Sequence, residues 1–189
     1  MRIITGQYKG RHFDIPRSFK ARPTTDFAKE NIFNVLTGYM DFEGATALDL
    51  FAGTGSISLE LVSRGCQSVV SIEKDRDHHR FICDCLNRVG NTVCIPLRAD
   101  VFRFIKSCRQ TYDLVFADPP YALKELPTLP GLITGSRLQK EGGSGLLKEG
   151  GIFVLEHGKD HDFSAEPGFM EHRCYGSVHF SLFRPSTSP

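Results

Sequence analysis

Two short segments of this 189-residue chain combine residue types that could do chemistry. The first is Asp49-Leu50-Phe51-Ala52-Gly53-Thr54-Gly55. A glycine-rich turn after a strand lets a ligand approach the backbone at the C-terminal edge of a sheet. Nucleotide, flavin and nicotinamide folds all use such turns, and the acid discriminates among them. A carboxylate just before the turn repels a pyrophosphate and suits a cationic ligand. Ser58 occupies the sixth position of the G-x-G-x-x-G pattern, against the dinucleotide fingerprint. S-adenosyl-L-methionine, with a sulfonium, an ammonium and no phosphate, meets these demands. Glu73, 20 residues after Gly53, stands where a carboxylate can accept hydrogen bonds from both ribose hydroxyls. Asp100, after the third strand, is placed for an adenine amino group. The candidate cofactor set is Asp49, Phe51, Ala52, Gly53, Thr54, Gly55, Glu73, Lys74, Asp100 and Val101, with no metal expected.

The second segment is Asp118-Pro119-Pro120-Tyr121. An exocyclic base nitrogen is a poor nucleophile because its lone pair is delocalised into the ring. Two acceptors near its hydrogens, the Asp118 carboxylate and the Pro119 carbonyl, would draw it toward tetrahedral geometry and free that pair. Transfer then requires in-line alignment, so positioning supplies much of the rate. Pro119 and Pro120 stiffen the turn, and Tyr121 can stack on a base taken out of its helix or loop. The bland readings are a capping aspartate on a Pro-Pro turn, a helix-side Asp49, and a surface Glu73 paired with Lys74. Together the two segments are specific, and either alone is not.

These segments need elements to position them. Residues 45–51, 68–73, 92–97, 112–117 and 151–156 read as strands. The helices between them include one through about Arg64, one with Phe81, Ile82, Cys85, Leu86 and Val89 on one face, and one with Val101, Phe102, Ile105 and Cys108. Repeated β-α units with short connections imply a parallel sheet with helices on both faces. Residues 169–175 and 177–183 flank Gly176 as an antiparallel pair, which makes seven strands. Upstream, residues 2–7 and 11–15 read as a small β-hairpin. Thr24, Thr25 and Asp26 offer N-cap chemistry to a helix whose apolar positions are Phe27, Ala28, Ile32, Val35 and Leu36, ending at Gly38.

Composition adds boundaries. Forty per cent hydrophobic and 24% charged residues describe an ordinary globular chain. No apolar run reaches the length of a membrane span, and the start is too short for a signal peptide, so a cytoplasmic location is expected. None of the six cysteines forms a C-x-x-C pair, and buried reduced thiols are expected. Residues 1–22 carry a local net charge of +5 on a body of −4. That asymmetry points Lys9, Arg11, Arg17, Lys20 and Arg22 at a polyanion. The expected organisation is a basic hairpin and linker over 1–22, a catalytic domain over 23–185 and a tail over 186–189.

The chain resembles the RsmD family of bacterial small-subunit ribosomal RNA guanine-N2 methyltransferases. The resemblance covers nearly the whole chain. It runs through Arg2-Ile3-Ile4-Thr5-Gly6-Gln7-Tyr8-Lys9-Gly10-Arg11, Arg22-Pro23-Thr24-Thr25-Asp26, the glycine turn through Ser56, and Ala117-Asp118-Pro119-Pro120-Tyr121. It departs at Lys29, Asn31 and the Gly142-Gly143-Ser144-Gly145 stretch. The resemblance implies a Rossmann-like class I methyltransferase fold with an N-terminal hairpin. It also implies ribosomal RNA as partner, naked or in an assembling small subunit, and a monomer. An adenine-N6 methyltransferase acting on DNA or RNA would use the same Asp-Pro-Pro-Tyr chemistry. A catalytically idle RNA-binding or assembly protein is disfavoured by the intact Asp118 and glycine turn. A dinucleotide oxidoreductase is disfavoured by Asp49.

Overall fold

The computed structural model describes residues 1–19, 25–135 and 145–185. Lys20, Arg22, Thr24, Gly142, Gly143, Ser144 and the tail over 186–189 lie outside them. The chain divides into two compact units, Met1–Val101 and Phe102–Pro189. Among the described residues no helix is long and apolar enough to cross a membrane.

The first unit holds α1 (Asp26–Thr37), β1 (Thr46–Leu50), α2 (Ser56–Ser63), β2 (Ser68–Glu73), α3 (Arg76–Arg88) and β3 (Cys94–Arg98). Its strands are parallel in the order β3-β2-β1. β1 is buried from Ala47 to Leu50, as strands covered on both faces are. α1 starts where the Thr25 hydroxyl accepts from Ala28 N–H and stops at Gly38. Its core face is Ala28, Ile32, Phe33 and Leu36. Phe27, expected on that face, is 65% exposed, because Phe33 fills the apolar stripe and leaves the first turn facing water. In α3, Asp75 caps the N-terminus by accepting from Asp77 and His78 N–H, and Ile82, Cys85 and Leu86 are buried.

The second unit holds β4 (Tyr112–Ala117), a 3-10 turn (Leu126–Thr128), α5 (Leu129–Thr134), β5 (Leu147–His157), β6 (Phe169–Tyr175) and β7 (Val178–Phe183). A further helix, α4 (Val101–Ser107), begins at the last residue of the first unit. β4 and β5 are parallel, and β5-β7-β6 are antiparallel. β5 is longer than the expected 151–156. Tyr112 pairs with Leu147 and Leu114 with Ile152, so the extra β5 residues form a bulge in which Gly150 takes φ 72°. A bulge interrupts the alternation by which a strand is recognised in sequence.

The N-terminal arms are not a regular hairpin. They share one antiparallel bridge, Arg2 with His12, plus Ile3 N–H to the Arg11 carbonyl and Gly10 N–H to the Ile3 carbonyl. The reason is α2, whose eight residues are all buried. Its Glu60 carboxylate accepts from Ile4 N–H at 2.8 Å and Thr5 N–H at 3.0 Å, so those donors serve a side chain and not a partner strand. Arg64 Nε donates to the same carboxylate at 2.9 Å. The fully buried Lys29 ammonium stands 4.0 Å away and donates to the Arg2 carbonyl and the Ser56 hydroxyl. Burial lowers the Lys29 pKa, and Glu60 opposes that shift.

All six cysteines are free. Cys66, Cys85 and Cys94 are buried as expected, whereas Cys174 is exposed on β6.

Removing one partner of a buried ion pair leaves an uncompensated charge and orphaned N–H groups, at a cost of about 3–5 kcal/mol. Glu60→Ala is therefore expected to lower unfolding free energy by that amount in urea titration. Glu60→Gln, which keeps one acceptor oxygen for Ile4 or Thr5, is expected to lose less.

Candidate active site

In the first unit the glycine turn leaves β1 and enters α2. Its accessible part is Phe51, Ala52 and Gly53, each half-buried, whereas Thr54 onward is buried. The two glycines differ in what they permit. A Cβ on Gly53 (φ 54°) would meet only the Phe51 carbonyl at 3.8 Å, so its outer face is open to a ligand. A Cβ on Gly55 (φ 73°) would strike Ile82 of α3 at 2.9 Å, so this glycine lets the turn pack against the helix. Phe51 also adopts φ 59°. A non-glycine residue there costs about 1–3 kcal/mol and persists only where its surroundings over-determine it.

Glu73 holds that conformation. Its Oε2 accepts from Gly53 N–H and its Oε1 from Asp75 N–H, both at 2.7 Å, which ties the turn after β1 to the cap of α3. Each carboxylate oxygen has a second lone pair, so acceptor capacity remains for hydroxyl donors. Lys74 is exposed and pairs with the part-buried Asp100 at 3.2 Å, so an adenine amine would meet an Asp100 already engaged by a cation. Val101 is buried at the start of α4.

Asp49 is not presented to solvent. It is 1% exposed, and its Oδ2 accepts from both the backbone N–H and the hydroxyl of Ser58. Burial raises its pKa to about 7; the Ser58 bonds oppose that, and repulsion from Glu73 adds to it. Asp49 thus lies behind the turn, out of reach of solvent. The open Gly53 face, with Glu73 and Asp49 as the nearby acids, fits a cationic, phosphate-free nucleoside better than a pyrophosphate.

In the second unit, β4 ends in Asp118-Pro119-Pro120-Tyr121. The register Ala117 to Leu155 brings this turn alongside Glu156 at the end of β5. Leu123 N–H donates to the Pro120 carbonyl at 2.8 Å and closes the loop. Pro119 is buried, Asp118 half-buried and Pro120 exposed. Tyr121 is 41% exposed, and its hydroxyl donates to Glu156 Oε1 at 2.9 Å. Burial, with Glu156 and then Asp118 adding negative charge, raises its pKa. Glu156 and the histidines His157, His161, His172 and His179 were not anticipated from sequence, because the pairing of β5 and β6 with β7 joins residues far apart in the chain. Among the described residues no group of three or more His, Cys, Asp or Glu side chains is placed to hold a metal ion.

At the N-terminus, Lys9, Arg11 and Arg17 are exposed. Arg11 is tethered, donating to the Arg88 carbonyl at 3.0 Å and lying over Tyr8. Lys20 and Arg22 lie outside the described residues.

The solved structure of the Putative methyltransferase yhhF from Escherichia coli matches all of this chain and 99% of its own, with a TM-score of 0.82 and 26% identity. Strand arrangement, glycine turn and this likeness define a Rossmann-like class I methyltransferase fold. Among relatives, Putative rRNA methyltransferase YlbH of Bacillus subtilis is 33% identical over 164 residues, 85% of this chain and 84% of its own length. Ribosomal RNA small subunit methyltransferase D of Escherichia coli is 34% identical over 121 residues, which span 64% of this chain and 60% of that relative. The family described as Conserved hypothetical protein 95 matches residues 1–184, and the chain belongs to it, the RsmD family that the motifs resemble.

The Asp49 carboxyl has a raised folded pKa, so the folded state holds a proton that the unfolded chain releases. Its contribution favours folding at low pH and is lost as pH rises from about 4 to about 7. Asp49→Asn keeps an acceptor for Ser58, and thermal unfolding across that window should show a smaller decline than wild type. Calorimetry at pH 8 should show weaker binding of S-adenosylmethionine, with a smaller loss for S-adenosylhomocysteine, which lacks the sulfonium charge.

Proposed function

We propose that this chain methylates the exocyclic N2 amine of a guanine in small-subunit ribosomal RNA, using S-adenosylmethionine. The observation that carries the reading is the Asp118-Pro119-Pro120-Tyr121 turn at the end of β4, with a half-buried acid beside an exposed, anchored aromatic ring. The ribosomal RNA names of YlbH and of methyltransferase D support the substrate class, and the RsmD motifs support guanine.

When bound, S-adenosylmethionine supplies a methyl carbon made electrophilic by its sulfonium. Glu73 accepts from the ribose hydroxyls, the Gly53 backbone lies against the ligand, and Asp49 offsets its positive charge. Asp100 and the backbone at Val101 meet the adenine edge. The Asp118 carboxylate and the Pro119 carbonyl accept the two hydrogens of the target amine and localise its lone pair. The amine nitrogen that takes the methyl group would become cationic and would have to give up a proton, for which Asp118 is the adjacent base. Tyr121 stacks on the extruded base. Residues 1–22 serve as an RNA-binding element for a catalytic domain over 23–185, with Lys9, Arg11, Arg17, Lys20 and Arg22 on phosphates. Such contacts orient a nucleic acid without reading its sequence.

Mass spectrometry of ribosomal RNA from cells with and without the gene should show N2-methylguanosine only in the former; N6-methyladenosine in its place would establish the adenine reading. Asp118→Ala should keep S-adenosylhomocysteine affinity and lose methyl transfer by about 100-fold or more, since a positioned acid–base group contributes typically 10²–10⁴-fold. Neutralising Lys9, Arg11 and Arg17 together should reduce the salt slope of RNA binding by about 2–3, as expected for three lost phosphate contacts, and leave cofactor affinity unchanged.

A further inference from the structure

The last two residues of β5 and the one after it, Glu156-His157-Gly158, each bear on Tyr121 or on its support. Glu156, 3% exposed, accepts the Tyr121 hydroxyl at 2.9 Å and so fixes the far end of the ring. Gly158 lies against the ring's flank, where an added Cβ would come 3.0 Å from Tyr121 Cδ2 and 3.6 Å from Cε2 and Cγ. His157 is fully buried, with both ring nitrogens engaged. The Gly158 carbonyl can only accept, so Nδ1 is the donor across their 2.8 Å bond, and Nε2 of the neutral ring accepts from the Ser181 hydroxyl of β7 at 2.9 Å. Burial keeps that ring neutral, lowering its pKa to about 4 against the Gly158 bond, with His172, His179 and His161 adding to the shift. The Gly158 peptide is thereby pinned to β7, and the ring rests on it.

We propose that Glu156, His157 and Gly158 are positioning residues that lock the Tyr121 ring in the single orientation on which the target base stacks. The inference rests on the reading of Tyr121 as the base platform. Without the lock a ring on a loop would swing about its χ angles, and the stacked base would lose its alignment with the methyl donor. The lock also accounts for a tyrosine at this position: a phenylalanine offers the same stacking face but nothing for Glu156 to hold.

The test uses the full chain with an in vitro transcript of 16S RNA, and ring NMR of protein labelled with ¹³C-tyrosine, the Tyr121 signals being assigned by their absence in Tyr121→Phe. Glu156→Ala and Tyr121→Phe should each lower kcat by about 10- to 100-fold, the scale of a small misplacement of reacting groups, with little change in KM for RNA or in S-adenosylhomocysteine affinity. The double variant should be no worse than the worse single one, because the two changes break one bond. Glu156→Gln, which still accepts the hydroxyl, should restore turnover to near wild type. Gly158→Ala should shift the Tyr121 signals and lower kcat while the protein stays folded. Additive losses, failure of Gln to rescue, or unchanged Tyr121 signals in Glu156→Ala would overturn the lock. A wild-type protein that methylates neither the transcript nor small ribosomal subunits would overturn the proposed function instead, and the NMR arm would still decide whether the ring is held.

Discussion

The first unit depends on one buried carboxylate. Glu60 sits in the middle of a helix that meets no water, and Arg64, Lys29 and two backbone N–H groups converge on its carboxylate. Those four partners come from three parts of the chain: the N-terminal arm, α1 and the C-cap of α2. The arm therefore does not pair as a hairpin on its own account; it is moulded onto α2. Because Gly55 is the N-cap of α2, whatever fixes α2 also fixes the far end of the glycine turn. The network is costly to assemble, and isolated buried ion pairs add little net stability over apolar packing. Its effect is to specify one arrangement of arm, helix and turn.

The same logic recurs at smaller scale around each functional segment. Glu73 bridges the turn after β1 and the cap of α3, and Asp49 ties the turn to Ser58. Both acids shape the backbone that a ligand meets as well as setting its charge. In the second unit, Tyr121 is held by β5 and not by its own loop. At Gly53 and at Tyr121 a neighbouring strand supplies the acceptor and the turn donates, whereas Asp49 of β1 accepts from Ser58 of α2. A turn so restrained meets its ligand with little conformational entropy left to lose.

The buried titratable groups divide into two kinds. Lys29 has its charge compensated by Glu60 and by hydrogen-bond acceptors, so burial and pairing act against each other. Asp49 has hydrogen bonds from Ser58, and repulsion from Glu73 adds to the cost of its burial. An acid in that state is stabilised by any cationic ligand brought near the turn, which couples occupancy of the site to the stability of the fold.

By itself the sequence determined the alternation of strands and helices, because hydrophobic period and glycine punctuation are local properties. The bounds of β2 and β4 follow from it residue for residue. It also determined the two chemical segments, because a glycine turn preceded by an acid and an Asp-Pro-Pro-Tyr turn are read from adjacent residues. Tertiary structure decided everything that hinges on distant partners. Nothing in the adjacent residues marks Glu60 and Lys29 as a buried pair; the burial of α2 on every side does. Phe27 looks like core until Phe33 takes its place. Asp49 reads as a ligand-facing acid until Ser58 claims it. β5 runs past its pattern because a bulge at Gly150 hides the register, and the acceptor for Tyr121 comes from Glu156, 35 residues away. A sequence motif names the groups that can react, but the backbone and side chains that hold them still are brought by the fold from elsewhere in the chain.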